Sequence, residues 1–165
     1  MPMKHFNSIL VILIVMQLVA CTNDHTCHEE RYVAMGVKLY RTTFDEESET
    51  YVQNAFEPDS ITVYGLDNDS ILYEKVKLSA LYLPLRTDKA SFCITEYIFS
   101  LTDDSYDTIT IKHNNIDNYI SFACGCIVFA DLIETETTTH EIDSVMIVNP
   151  SVQNVQDTHI NVFYK

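Results

Sequence analysis

Hydrophobic residues fall along this chain in two patterns. Ile9 to Ala20 is an apolar run broken only by Gln17, whereas from residue 31 onward apolar and polar residues alternate in short bursts. Alternation with a period of two places one row of side chains on a buried face of a strand. It predicts strands at about 31–41, 60–66, 71–73, 76–85, 91–101, 108–112, 119–130, 143–148 and 158–164, with 50–56 either a short strand or part of a loop. Turn signals separate them: Pro58-Asp59, Asp67-Asn68-Asp69-Ser70, Asp103-Asp104-Ser105, Asn114-Asn115 with Asp117-Asn118, and Asn149-Pro150. Short polar side chains favour turns because they hydrogen-bond the local backbone. Gly36 marks a bulge or a close backbone approach, and Pro84 an edge, end or turn. The acidic segment 45–50 and the threonine-rich segment 134–141 read as loops. No run keeps helical spacing long enough to compete. Seven to nine strands must each bury a face, and an all-β, antiparallel sandwich of two sheets does this for a chain of this size.

The first apolar run has a different meaning. It follows Lys4, is shorter than the roughly 20 residues of a bilayer-spanning helix, and has the order of a signal peptide. It ends in Leu18-Val19-Ala20-Cys21, which resembles the bacterial lipobox. That resemblance implies cleavage before Cys21, a diacylglyceryl group on its sulfur and a further acyl chain, such as palmitate, on its amine. Two or more chains give stable anchoring, whereas one is marginal. The expected layout is a signal peptide at 1–20, the lipidated Cys21 with a short polar tether at 21–30, and one β domain at 31–165. The expected location is the cell envelope, at the outer membrane, with the periplasmic or surface face left open. Thr22-Asn23-Asp24 is a weak form of a surface-export signal.

Charge then removes a class of partners. The chain has 24 acidic and 10 basic residues, a formal charge of −14; loss of residues 1–20 removes Lys4 and makes it −15. Such a field repels nucleic-acid phosphates, and no basic stripe overrides it, since Arg31, Lys38 and Arg41 are followed at once by Asp45, Glu46, Glu47 and Glu49. The expected partners are the membrane, through the lipid on Cys21, and an envelope protein or glycan. Nucleic acid is not among them.

With Cys21 assigned to lipid, Cys27, Cys93, Cys124 and Cys126 remain. An even number in an oxidising compartment favours two disulfides, with three connectivities open. In an extended strand the sulfurs of Cys124 and Cys126 share a face about 7 Å apart, awkward for a direct bond. The expected arrangement pairs one of them with Cys27 and the other with Cys93. A redox role is disfavoured, because a reactive thiolate needs an electropositive setting and this Cys-Gly-Cys sits in an apolar segment.

Candidate chemistry is otherwise sparse. His25 and His28 flank Cys27 without the usual zinc-site order. Neither Asp67-Asn68-Asp69 nor Asp103, Asp104 and Asp107 fits a twelve-residue calcium loop. There is no Gly-x-Ser-x-Gly elbow, His-Glu-x-x-His motif or phosphate-cradling glycine loop. No catalytic, cofactor or metal residue is therefore assigned, and the protein is expected not to be an enzyme. Tyr64, Tyr73, Tyr82, Tyr97 and Tyr119 are candidates for a binding surface or for cross-strand packing.

Four segments carry a wider resemblance: Cys27; Ala123-Cys124-Gly125-Cys126 with Val128-Phe129; Ile142-Asp143-Ser144-Val145 leading to Ile147-Val148-Asn149-Pro150; and His159-Ile160-Asn161-Val162-Phe163-Tyr164. In these the chain resembles a family of small Bacteroidetes lipoproteins of unknown function. The resemblance implies an extracytoplasmic, lipid-anchored domain with an immunoglobulin-like sandwich, and it supplies no reaction. The expected function is a non-catalytic envelope lipoprotein that binds a protein or contributes to assembly. The alternative is a glycan- or peptide-processing hydrolase.

Overall fold

The computed structural model describes residue 27 and residues 30–66, 70–88, 91–102 and 104–165. The signal peptide, Cys21, His25, His28, Asp67, Asn68, Asp69 and Asp103 lie outside the described residues.

The described chain is all β, in two sheets. Its strands are β1 (Met35–Asp45), β2 (Thr50–Ala55), β3 (Ile61–Gly65), β4 (Ile71–Val76), β5 (Ala80–Leu83), β6 (Phe92–Thr102), β7 (Ser105–Ser121), β8 (Gly125–Thr137), β9 (Ile142–Ile147), β10 (Ser151–Val152) and β11 (Ile160–Tyr164). One sheet runs β2-β1-β11-β9, with β5 also paired to β1; the other runs β10-β8-β7-β6-β3-β4. Each sheet turns one alternating row inward. Met35, Val37 and Leu39 of β1 meet Ile109 and Ile111 of β7 in a core that also takes Val63, Phe99, Leu132, Ile160 and Val162. Each such aliphatic side chain, fully buried, contributes about 1.5–3 kcal/mol. The edge of the sandwich is tied as well: the Tyr73 hydroxyl of β4 accepts from Tyr82 N of β5 and donates to Tyr82 O.

Several expected turns are strand. β7 runs straight through Asn114, Asn115, Asp117 and Asn118, which pair in register with Asp131, Ala130, Val128 and Ile127 of β8. Asn115 Nδ2 donates to the carbonyls of Arg86 and Asp88, so its amide serves the neighbouring chain instead of a local turn. The expected loop at 134–141 is strand as far as Thr137: Thr135 and Thr137 pair with Ile111 and Ile109, and Glu134 and Glu136 both reach Lys112 Nζ. The expected strand 119–130 breaks at a turn over 122–124, completed by Gly125 with φ of 70°. The segment 76–85 divides between the end of β4 at Val76 and the start of β5 at Ala80, just after Lys75, whose φ is 48°. With β2 and β10 added, the strands number eleven against the seven to nine expected. One pairing is also parallel: β1 lies beside β11 with Val37 opposite Ile160.

That parallel pairing depends on Gly36. Its N–H donates to His159 Nδ1 at 2.8 Å, and its carbonyl accepts from His159 N at 2.8 Å. A Cβ there would lie 1.9 Å from the Asp157 carbonyl oxygen. The close approach read from the sequence at Gly36 is therefore an approach to the 157–159 segment. Burial holds the His159 imidazole below its ordinary pKa, in the neutral form that can accept at Nδ1.

At the opposite end of the core the inward row of β7 begins with Asp107, 1% exposed. Its carboxylate accepts from the backbone N–H groups of His140, Glu141 and Ile142 and from the Thr138 hydroxyl, at 2.7–2.9 Å. Burial alone would raise its pKa, but these donors together hold it below the ordinary carboxylate value. It is the clamp that turns β8 over into β9.

Gly36→Ala is expected to destabilise by about 3 kcal/mol, read as a lowered urea midpoint, because backbone must move to admit the methyl group. Asp107→Asn is expected to cost about 2–3 kcal/mol near neutral pH. A depressed carboxylate pKa contributes fully above the unfolded value of about 4 and is lost as pH falls through the folded value. The gap between wild type and Asp107→Asn should therefore hold from about pH 7 to about pH 5 and narrow as pH falls below about 4; urea midpoints across that range check it.

Candidate functional site

Cys27 and Cys124 meet at one end of the sandwich. β6 starts at Phe92, opposite Asn114, so β7 beyond residue 115 and the start of β8 continue as a two-stranded ribbon past β6. Its turn carries Cys124, bonded to Cys27 across a sequence separation of 97. From residue 30 the chain runs back along the ribbon, with Arg31 Nη2 donating to the Cys126 carbonyl, and enters β1 at Met35 opposite Leu83. Pinning the N-terminal segment closes a long loop, which contributes about 2–4 kcal/mol.

The second expected disulfide does not form. Cys126 is an exposed thiol and Cys93 a buried one. Cys93 lies opposite His113 on β7, whereas Cys126 lies opposite Tyr119. Six residues along β7 and two strand spacings separate them, about 20 Å by about 10 Å, far outside disulfide reach. The period-two argument placed Cys124 and Cys126 on one face, but the turn intervenes: Cys124 is buried and Cys126 faces solvent.

Cys93 instead joins a polar cluster that sequence reasoning missed. Its Sγ–H donates to Asp88 Oδ1 at 2.9 Å and its sulfur accepts from Asn115 Nδ2 at 3.2 Å. The neighbouring Thr95 hydroxyl lies 2.9 Å from His113 Nε2 and accepts from Arg86 N. Arg86 in turn pairs with Asp88 at 2.9 Å. The residue types are those of a thiol–imidazole pair, and the period-two rows of β6 and β7 contain both partners, so their meeting was legible once register was known. The chemistry runs the other way. Burial, then the Asp88 carboxylate, push the Cys93 thiol above its ordinary pKa, and burial pushes His113 down despite Asn115 and Asp88. A nucleophilic thiolate needs the opposite shifts.

Three open clefts lie around this end. One of about 390 Å³ is lined by Arg31, Tyr32, Val33, Leu85, Cys126 and Val128. One of about 450 Å³ shares Tyr32 and adds Ala34, Tyr82, Asn154 and Val155. One of about 440 Å³ shares Pro84, Leu85 and Thr87 with the first and adds Leu72, Arg86 and Glu96. The segments 30–34 and 82–87 thus run between adjoining depressions. The candidate tyrosines scatter: Tyr97 is buried with its hydroxyl on the Pro84 carbonyl, Tyr73 caps β5, Tyr82 lines a cleft, Tyr64 is half-buried on β3, and Tyr119 stands exposed on the ribbon. Among the described residues no group of three or more His, Cys, Asp or Glu side chains could hold a metal ion. No described helix is long and apolar enough to cross a membrane.

A family model described as "Family of unknown function (DUF6452)" matches residues 60–164. The chain belongs to this family. The matched part of the DUF6452 protein runs from β3 to β11 and contains Cys93, Cys124 and Cys126; Cys27 and β1 precede it. No curated protein and no solved structure matches the chain.

Non-reducing peptide mapping of the full chain is expected to return a Cys27–Cys124 link and no Cys93–Cys126 link. Without reductant or denaturant, maleimide should modify Cys126 rapidly and Cys93 only on unfolding; mass spectrometry of the labelled peptides checks both.

Proposed function

We propose that this is a non-catalytic envelope lipoprotein, tethered by acyl chains on Cys21, that binds a protein partner through the clefts around Tyr32 and Leu85. The observation that carries the reading is the pairing of two features at one end of the fold. Cys93 and His113 are buried there in their neutral forms, while the adjoining depressions present tyrosine, aliphatic side chains and a few polar atoms to solvent. Aromatic and aliphatic surfaces ringed by polar groups are what protein interfaces use. The lipobox-like Leu18-Val19-Ala20-Cys21 supports the anchor, and the acidic balance supports a soluble body beside it.

The motif resemblance supports placement at the outer membrane of a Bacteroidetes cell. The packing of two sheets supports an immunoglobulin-like sandwich, of which the parallel β1–β11 pair and the short β5 and β10 are local elaborations. A peptide-processing activity built on Cys93 and His113 would need a lowered thiol pKa, and burial beside Asp88 raises it.

In the native bacterium, Cys21→Ala is expected to move the protein out of the membrane fraction. A photo-crosslinking residue replacing Tyr32 should capture the same envelope protein in repeated experiments, and one replacing Tyr51 should not. Capture at neither position, together with envelope-substrate turnover abolished by Cys93→Ser, would favour the hydrolase instead.

A further inference from the structure

The proposed tether and the ribbon meet at one point. Cys27 is bonded to the ribbon's turn, and Cys21 precedes it by six residues, so the anchored sulfur lies within about 20 Å of that turn even with the chain fully extended. Whatever surface holds Cys21 is therefore within reach of the turn.

The side chains at the turn suit that position. Phe122 is 91% exposed and Tyr119 64% exposed, and Ala123 is also exposed. Residues 118–130 contain no charged side chain although the chain carries a formal charge of −14. A second uncharged run, 144–156, returns to the same end and leaves Val155 exposed beside Tyr32. The opposite end of the sandwich has exposed aromatics as well, Phe44 and Tyr51, but the hairpin that bears them carries Asp45, Glu46, Glu47 and Glu49. Carboxylates are repelled by an anionic bilayer surface, whereas Tyr and Phe on an uncharged turn partition into the headgroup region. The two ends are thus sorted by charge in the sense the tether requires.

We propose that the β7–β8 turn, led by Phe122 and Tyr119, is a second membrane contact that rests in the lipid headgroup region and stands the sandwich upright on the bilayer. The proposal builds on the Cys21 anchor. In this pose the Cys27–Cys124 disulfide transmits the anchor to the ribbon. The occupant is a lipid surface and not a second copy, because the length of chain between Cys21 and Cys27 brings lipid to the turn and brings no second copy there.

The chain contains no tryptophan, so Phe122→Trp gives a single emitter at the turn and Tyr51→Trp one at the far end. Each is made in the full chain, processed and lipidated, and placed in phosphatidylethanolamine–phosphatidylglycerol vesicles with or without lipid brominated at shallow acyl positions. Emission of the Phe122→Trp protein should be blue-shifted and quenched by the brominated lipid about twofold more than that of Tyr51→Trp. Tyr119→Trp, as a second reporter, should follow Phe122→Trp. Co-sedimentation with vesicles reads the anchor separately. Co-sedimentation with equal, weak quenching at residues 122 and 51 overturns the turn contact and leaves the anchor intact. Failure to co-sediment overturns both. A blue shift that appears without vesicles and grows with protein concentration assigns the turn to self-association and also overturns the proposal.

Discussion

The fold turns on one close approach, between Gly36 and the segment 157–159. There the first strand and the last are laid side by side, with Gly36 exchanging hydrogen bonds with the backbone and imidazole of His159. β1 is the hub of its sheet: β11 pairs along one edge, and β5 and then β2 pair along the other. Without that junction β9 and β11 would have no sheet to join, and Ile142, Ile160, Val162 and Tyr164 would lose the layer they complete. The constraint is steric and electrostatic together. No Cβ fits against the Asp157 carbonyl, and the imidazole must stay neutral to accept the Gly36 N–H.

Buried polar groups mark both ends of the core, and they do different work. Asp107 is a charge held by four donors, a fully satisfied arrangement that fixes a chain reversal. Cys93, His113, Thr95 and Asn115 form a mixed cluster in which burial favours the neutral forms of thiol and imidazole. Both sit on the inward row of β7 or its neighbour β6, where an extended strand leaves no choice of face. The cluster is thus the polar closure of the core beneath the clefts, and the molecule's outward chemistry passes to Tyr32 and the ribbon.

The sandwich is polarised end to end. One end has the pinned N-terminal segment, the ribbon with its uncharged turn and the clefts; the other has an acidic hairpin and the Asp107 clamp. On the proposed lipid tether, such polarity would set which surface meets the bilayer and which faces the aqueous side. The disulfide couples the N-terminal segment to the ribbon instead of to a loop free to swing.

Local pattern alone determined much of this protein. Period-two alternation marked part of every long strand and the inward row Ile109–Ile111, and the need to bury one face of each strand required two layers. Gly36 stood out as a bulge or a close approach, and the fold made it the second. Tertiary structure decided the rest. Asn114 to Asn118 and Glu134 to Thr137 carry turn or loop composition, yet they are strand because partners across β8 and β7, and Lys112 between two glutamates, supply what a local turn would have supplied. Cys93 and Cys126 were candidates for a bond by parity of count, and register keeps them apart. Pairing in a sheet is a non-local choice: the sequence sets which side chains share a face, but only the folded register sets which of them touch.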